Sequence, residues 1–318
     1  MTTESKETLV MGAAIGFNES QIAPFLISLR KAGYQGDVAL LVDPACVRQF
    51  SASPIFSGVR LIKAAQWIPY RFDLIKKRPH LMKHWRRFQS VLWVLMRAVQ
   101  KLPLPTALKQ GLRMRIGNLV FPPSEARYFR YYRFLLSHEY TRVLITDVRD
   151  VLFQQDPFLQ LPIKGLAVSM EDRRLLLADE THNSNWVRLA YGQKMLDGIG
   201  HNRISCSGVS YGDISSMRRY LQLMCEEMLG LSRYAINTGI GGTDQGIHNT
   251  LLWTGRLGDC TFLETLEGPV ATLCGVPESQ LQMNEDGRLL NRDGSVISVV
   301  HQYDRFPSLS AALLRSIA

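Results

Sequence analysis

The chain has 318 residues, 46 % hydrophobic and 20 % charged, with 37 Lys and Arg against 28 Asp and Glu for a formal charge of +9. This excludes a disordered chain and supplies enough apolar residues for a sizeable α/β core. The basic balance suits nucleic acid, an anionic membrane or a phosphorylated ligand, and five scattered cysteines (Cys46, Cys206, Cys225, Cys260, Cys274) without a CxxC pair fit idle thiols in a reducing compartment.

From the N-terminus, MTTESKETLV lacks a basic region followed by a long apolar run, so no signal peptide is expected. ETLVMGAAIG reads as a buried strand that breaks at Gly16. NESQIAPFLISLRKAGYQG follows as a helix, with Asn18 or Ser20 as its cap and Gly33 and Gly36 past its end. DVALLVD is a second strand ending in Asp43. Strand, helix and strand with short connections imply a βαβ unit and a parallel sheet.

Residues 65–120 read as a basic helical insertion. Between 71 and 115 lie Arg71, Lys76, Lys77, Arg78, Lys83, Arg86, Arg87, Arg97, Lys101, Lys109, Arg113 and Arg115, with Asp73 the only acid. Trp85, Phe88, Leu92, Trp93 and Met96 interleave with these charges at helical spacing. Two readings follow: a solvated basic helix pair packed on the core, or an amphipathic surface for an anionic membrane. Its apolar patch VLWVLM is too short to cross a bilayer. No nucleic-acid-binding module is visible, so no nucleic-acid partner is expected. The expected location is the cytoplasm, free or peripheral on the inner face of the membrane.

The core then resumes. SEARYFRYYRFLLSHEY reads as a helix opened by Ser124, RVLITD and GLAVSM as strands, and residues 172–200 as partly helical. RISCSGVSYGD is strand and turn, ISSMRRYLQLMCEEMLG an amphipathic helix, GGTDQGIHNTLLW a Gly-rich turn opening a helix, and SVISVVHQYD a late strand carrying His301.

Four stretches could carry chemistry. Asp147 and Asp150 follow a strand end, where α/β sheets bind ligands. Two carboxylates there repel unless a cation joins them, and hard oxygens suit Mg²⁺ or Mn²⁺; the alternative is a solvated turn with Asp150 paired to a basic residue. Asp244 and Gln245 open a helix after Gly241 and Gly242, where Asp244 by itself reads as a plain cap. Ser207 and Gly208 lie where a strand turns and could bind a polyol or serve the turn alone. His301 acquires a ligand role only if it reaches the two aspartates.

In their order, these pieces resemble the GT-A-fold, nucleotide-sugar-dependent glycosyltransferases, above all the glycogenin-like family. In that family a helix carrying an Arg precedes a strand and an acidic DxD motif; an NSGV strand, a GGDQG segment and a C-terminal metal-binding His follow. Here YYRFLL, TDVRDVLF, CSGVSYG, GGTDQGIHN and VVHQYDR stand at those places, over most of the chain outside 65–120. The acidic motif is one residue longer than DxD, Cys206 replaces an Asn, and QYDRFP replaces the family's Gly-Lys-Pro-Trp tail.

The resemblance implies a single GT-A (Rossmann-like) α/β domain over residues 1–318, with a mostly parallel central sheet flanked by helices. It implies Mn²⁺ or Mg²⁺ held by Asp147, Asp150 and His301 on the diphosphate of a nucleotide sugar. Arg133, Ser207, Gly208 and Arg305 would contact the donor. Asp244 and Gln245 would sit near the anomeric carbon, with Glu171 in reserve for acid/base work. The implied reaction is sugar transfer to a glycan, glycolipid, lipid-linked or protein acceptor, in surface polysaccharide biosynthesis. A metal-dependent phosphohydrolase is the alternative enzyme, disfavoured because the first strand ends in AAIGFN with no Asp. A non-catalytic glycan- or membrane-binding relative is the other alternative.

Overall fold

The computed structural model describes residues 7–64, 79–232 and 242–317. Gly241 and the 65–78 part of the expected insertion lie outside these residues.

Strand β1 (Thr8–Ala14) and strand β2 (Asp37–Val42) flank helix α1 (Glu19–Lys31). Asn18 caps α1 in a reciprocal box: its side chain accepts from the Gln21 backbone N–H, and Gln21 Oε1 accepts from the Asn18 N–H. Helix α2 (Val47–Ala52) leads to β3 (Val59–Lys63), and β4 (Arg142–Thr146) follows the insertion. These four strands are mutually parallel. Their apolar runs reflect coverage on both faces. Leu9, Met11, Val143 and Ile145 enter one core, while Val10 and Leu144 enter the other, as strand alternation requires.

The seven-stranded sheet has the order β3-β2-β1-β4-β7-β6-β8, completed by β6 (Leu166–Met170), β7 (Ser205–Asp213) and β8 (Cys260–Leu263). Strand β7 alone runs antiparallel to its two neighbours. The carboxyl ends of β1, β4 and β6 therefore share one edge with the start of β7. A second, three-stranded sheet joins β5 (Val151–Phe153), β9 (Val270–Thr272) and β12 (Val299–His301), with β12 in the middle, while β10 (Gln282–Met283) and β11 (Leu289–Leu290) pair antiparallel as a separate two-stranded sheet. The three-stranded sheet packs over a third core that includes Leu152, Leu273, Val300 and Leu313.

Helices α3 (Pro79–Lys101) and α4 (Thr106–Val120) form a hairpin that docks on the main core through Met96 and Val120. Trp93 donates its indole N–H to Leu231 O at 3.2 Å, and Arg113 reaches Leu229 O at 3.2 Å. Trp93 and Met96 thus face inward, and the outward apolar residues of α3 are Val91, Val94 and Leu95.

Helix α5 (Pro123–Leu136) begins at Pro123, with Pro122 at its cap position. Ser124 does not cap it; its hydroxyl donates to Glu125 Oε2 at 2.5 Å. The 172–200 stretch holds α6 (Thr181–Tyr191), capped by Glu180, and α7 (Gln193–Ile199). Asp213 caps α8 (Ile214–Gly230); α9 (Thr243–Trp253) and α10 (Pro307–Ile317) complete the described helices.

Candidate metal and donor site

After β4 the chain turns within four residues and re-enters as β5. The Asp147 N–H donates to Gly208 O at 2.7 Å, which ties this turn to the start of β7. Strand β12 pairs with β5 so that His301 lies opposite Val151, next to Asp150. The Gln302 N–H then donates to Asp150 O at 2.7 Å, with Gln302 in the left-handed region at φ 62°. A strained residue of this kind persists where its surroundings fix it, here between the two turns.

One ligand atom each from Asp147, Asp150 and His301 lies within 4.8 Å of the others. His301 Nε2 is 3.6 Å from Asp147 Oδ2 and 4.0 Å from Asp150 Oδ1. It is buried and has no hydrogen-bond partner among the described residues, an expensive state for a polar atom. The other ring nitrogen has weak neighbours, Thr272 Oγ1 at 3.5 Å and Cys206 Sγ at 3.8 Å. Gly208 completes the cradle: a Cβ there would meet His301 Cε1 at 2.5 Å and Asp147 Oδ2 at 2.8 Å. Two carboxylate oxygens and an orphaned imidazole nitrogen fit a divalent ion such as Mn²⁺ or Mg²⁺. Arg149, between the aspartates in sequence, pairs with Asp304 at 3.2 Å rather than with Asp150.

Arg127 organises the opposite wall. One arm of its guanidinium donates to Asp147 Oδ1, and the other donates to Asp244 Oδ2 at 3.0 Å. Tyr128 Oη and Ser207 Oγ also point at Asp244 Oδ2, at 3.4 and 3.5 Å. Burial pushes the Asp147 carboxyl up, but Arg127 and His301 outweigh it and hold the group below the ordinary carboxylate range. Asp150 goes the other way: burial raises it, and His301 offsets only part. Asp244 is likewise raised by burial despite Arg127. Burial would keep His301 neutral, yet its neighbours raise it above its usual value. Cys206, itself pushed up by burial, stays a neutral thiol. The Asp147 carboxylate, with Asp150 beside it, therefore favours positive charge at His301.

Gln245 spans to a third acid. Its amide donates to Glu171 Oε1 at 3.0 Å and to Asn183 Oδ1 at 2.9 Å. Glu171 lies just past the carboxyl end of β6, with Oε2 buried and without a partner among the described residues. Burial pushes its carboxyl up to about 7, against the Gln245 hydrogen bond. A carboxyl poised near neutrality can give or take a proton.

A cavity of about 370 Å³ is lined by Asp147, Asp150, Ser207, Gly208, Asp244 and Gln245, while His301 and Glu171 touch these liners without lining it themselves. Arg127, Trp186 and Phe17 are among the liners that carry no site signal in the sequence. Arg127 differs from the other arginines of its helix only in rotational phase. Trp186, whose indole N–H is buried without a partner among the described residues, carries no motif. Phe17 follows the first strand.

Two expected donor contacts lie elsewhere. Arg133 is exposed and lines a separate groove between α4 and α5. Six residues turn a helix by about 600°, which leaves Arg133 about 120° and roughly 9 Å from Arg127. Arg305 is exposed in the short turn Tyr303–Arg305 and does not line the cavity; its charge is felt at Cys274, which neighbours Glu171. The cap reading of Asp244 is also corrected. Gly242, left-handed at φ 98°, is the cap residue, and the Asp244 carboxylate turns to Arg127.

No family model matches the chain, and no curated protein does. Among solved structures, the galactosyltransferase LgtC in complex with donor and acceptor sugar analogues superposes over 97 % of this chain and 95 % of its own, with a TM-score of 0.45 and 12 % identity. At that distance the reading of the site rests on its own residues.

Proposed function

We propose that the chain is a metal-dependent glycosyltransferase of the GT-A type, which moves a sugar from a nucleotide-diphosphate donor to a hydroxyl of a glycan or lipid-linked acceptor in surface polysaccharide synthesis. One observation carries this reading. Segments around residues 147–150, 206–208, 242–245 and 302 line one cavity, where Asp147 and Asp150 group with the buried His301 and Gln245 donates to Glu171.

Asp147, Asp150 and His301 would hold the ion. When bound, it supplies Lewis-acid neutralisation of the leaving diphosphate. Arg127 fixes Asp147 and Asp244 in one rigid fork, so that neither carboxylate swings when a donor arrives. Ser207 and the backbone of Gly208 line the sugar site. Trp186 lines the cavity with an apolar ring suited to a sugar face. Gln245, held by Glu171 and Asn183, orients the donor at the anomeric carbon. In the step itself, the acceptor oxygen bonds to that carbon and the bond to the diphosphate breaks. The acceptor proton leaves by way of a carboxylate, for which Asp244 and Glu171 are the candidates.

A thermal-shift screen of nucleoside diphosphates and nucleotide sugars, with and without Mn²⁺, tests the reading. Stabilisation by one nucleotide only when the ion is present is the expected result. Asp147→Ala and Asp150→Ala should each lower transfer by about 10²–10³-fold while the fold survives. Full transfer in both variants overturns the proposal.

A further inference from the structure

Helices α4 and α5 diverge to leave a groove of about 520 Å³, separate from the catalytic cavity. That volume falls within the roughly 300–1,000 Å³ of ligand sites. Met114, Phe129 and Leu136 give it an apolar wall, while Arg115, Arg130 and Arg133 stand along it, and no acidic side chain lines it. On the neighbouring helix, Glu226 accepts from Gln110 and Gln222 and lines the adjoining cavity. Burial and the closeness of Arg133 both lower the pKa of Arg130, as expected of cations crowded without a counter-ion.

The surroundings point to a bilayer. Of the ten large apolar side chains that the described residues leave exposed, six (Val91, Val94, Leu95, Leu102, Leu108 and Leu136) lie on the hairpin and on the end of α5. An exposed apolar surface mixed with arginine and lysine is the pattern of a helix lying in a membrane interface.

We propose that this groove binds a phospholipid of an anionic bilayer. One hydrocarbon chain enters between α4 and α5, and the phosphate is held by Arg115, Arg130 and Arg133. A guanidinium fork matches phosphate oxygens in geometry and charge, and three of them beside an apolar slot recognise a molecule with both parts. The exposed side chains of α3 then rest in the surrounding lipid. The inference is independent of the catalytic reading, because lipid binding is read without turnover.

Gly111 provides a clean test. It lines the groove, and a Cβ built there meets nothing within 4 Å. Gly111→Trp should therefore fill the slot without disturbing the fold, and Arg133→Glu changes only an exposed charge. The full chain is sedimented with vesicles of phosphatidylcholine alone and with vesicles that also contain phosphatidylglycerol. The wild type should bind the mixed vesicles at least tenfold better than the neutral ones. Both variants should lose at least tenfold of that binding while their melting temperatures stay near the wild-type value. Equal binding to both vesicle types overturns the proposal, as does wild-type binding by Gly111→Trp. A dimer in analytical ultracentrifugation that Gly111→Trp abolishes would assign the groove to a second copy of the chain, and also overturns it.

Discussion

Gly208 has room for a hydrogen and nothing more. Its Cβ would press on the His301 ring and on Asp147 Oδ2, two groups of the proposed ion site. Gly208→Ala should leave the strand intact but force the ring and the carboxylate apart. Mn²⁺ affinity, read by titration against a spectroscopic signal of the free ion, is expected to fall by tenfold or more. Unchanged affinity would show that the ion binds away from these residues. At this scale Asp147, Asp150, Ser207, Asp244, Gln245 and His301 were legible because short motifs in a fixed order pointed to them. Arg127 was not, since it competes with Arg130 and Arg133 on one helix. Only the phase of that helix against the sheet decides which arginine reaches the carboxylates, and phase comes from packing.

Among the elements, the contact of α9 with α6 is set by a second glycine. A Cβ at Gly246 would meet the Trp186 carbonyl carbon at 2.8 Å and its oxygen at 2.9 Å, both backbone atoms that cannot rotate away. Gly246→Ala should push the two helices apart and cost about 1–3 kcal/mol of overpacking, measurable by urea unfolding. Because Gln245 and Trp186 ride on those helices, transfer should fall further than stability does. A variant with normal transfer would show that this spacing is not needed. The strands β1, β2 and β4 were readable from unbroken apolar runs. The three-residue strands β5 and β9 were not: such short segments have no periodicity, and long-range pairing with β12 creates them. Ser124 misled for a related reason, since Pro122 and Pro123 already fix the backbone where the helix begins.

For the molecule as a whole, the acids drawn into the site should appear in its stability against pH. Glu171 ionises near 4.5 in the unfolded chain and at about 7 in the folded one. Between those values the folded protein keeps a proton that the unfolded chain has lost, so this group makes stability fall as pH rises from about 4.5 to about 7. A rise of that size corresponds to about 3 kcal/mol. Glu171→Gln should remove this slope, matching the wild type near pH 4 and exceeding it near pH 8. Urea unfolding in the presence of a chelator measures it, and parallel profiles for the two proteins would refute it. The sequence also supports two readings of the basic insertion, and its packing bears on the first of them. Trp93 and Met96 bind the hairpin to the core, while its outer face keeps Val91, Val94 and Leu95 in solvent.

The position of His301 has a consequence for how the protein comes into being. The two aspartates and the histidine are separated by almost half the chain, and the histidine arrives on the last described strand. During synthesis the sheet that carries Asp147 and Asp150 can assemble while His301 is still inside the ribosome. The ligand set closes only when β12 pairs with β5 in the register that sets His301 against Val151, and a slip of one residue would turn the ring to the opposite face. If the chain works as proposed, its ion site stays incomplete until β12 docks, and ion capture would mark a correctly threaded molecule.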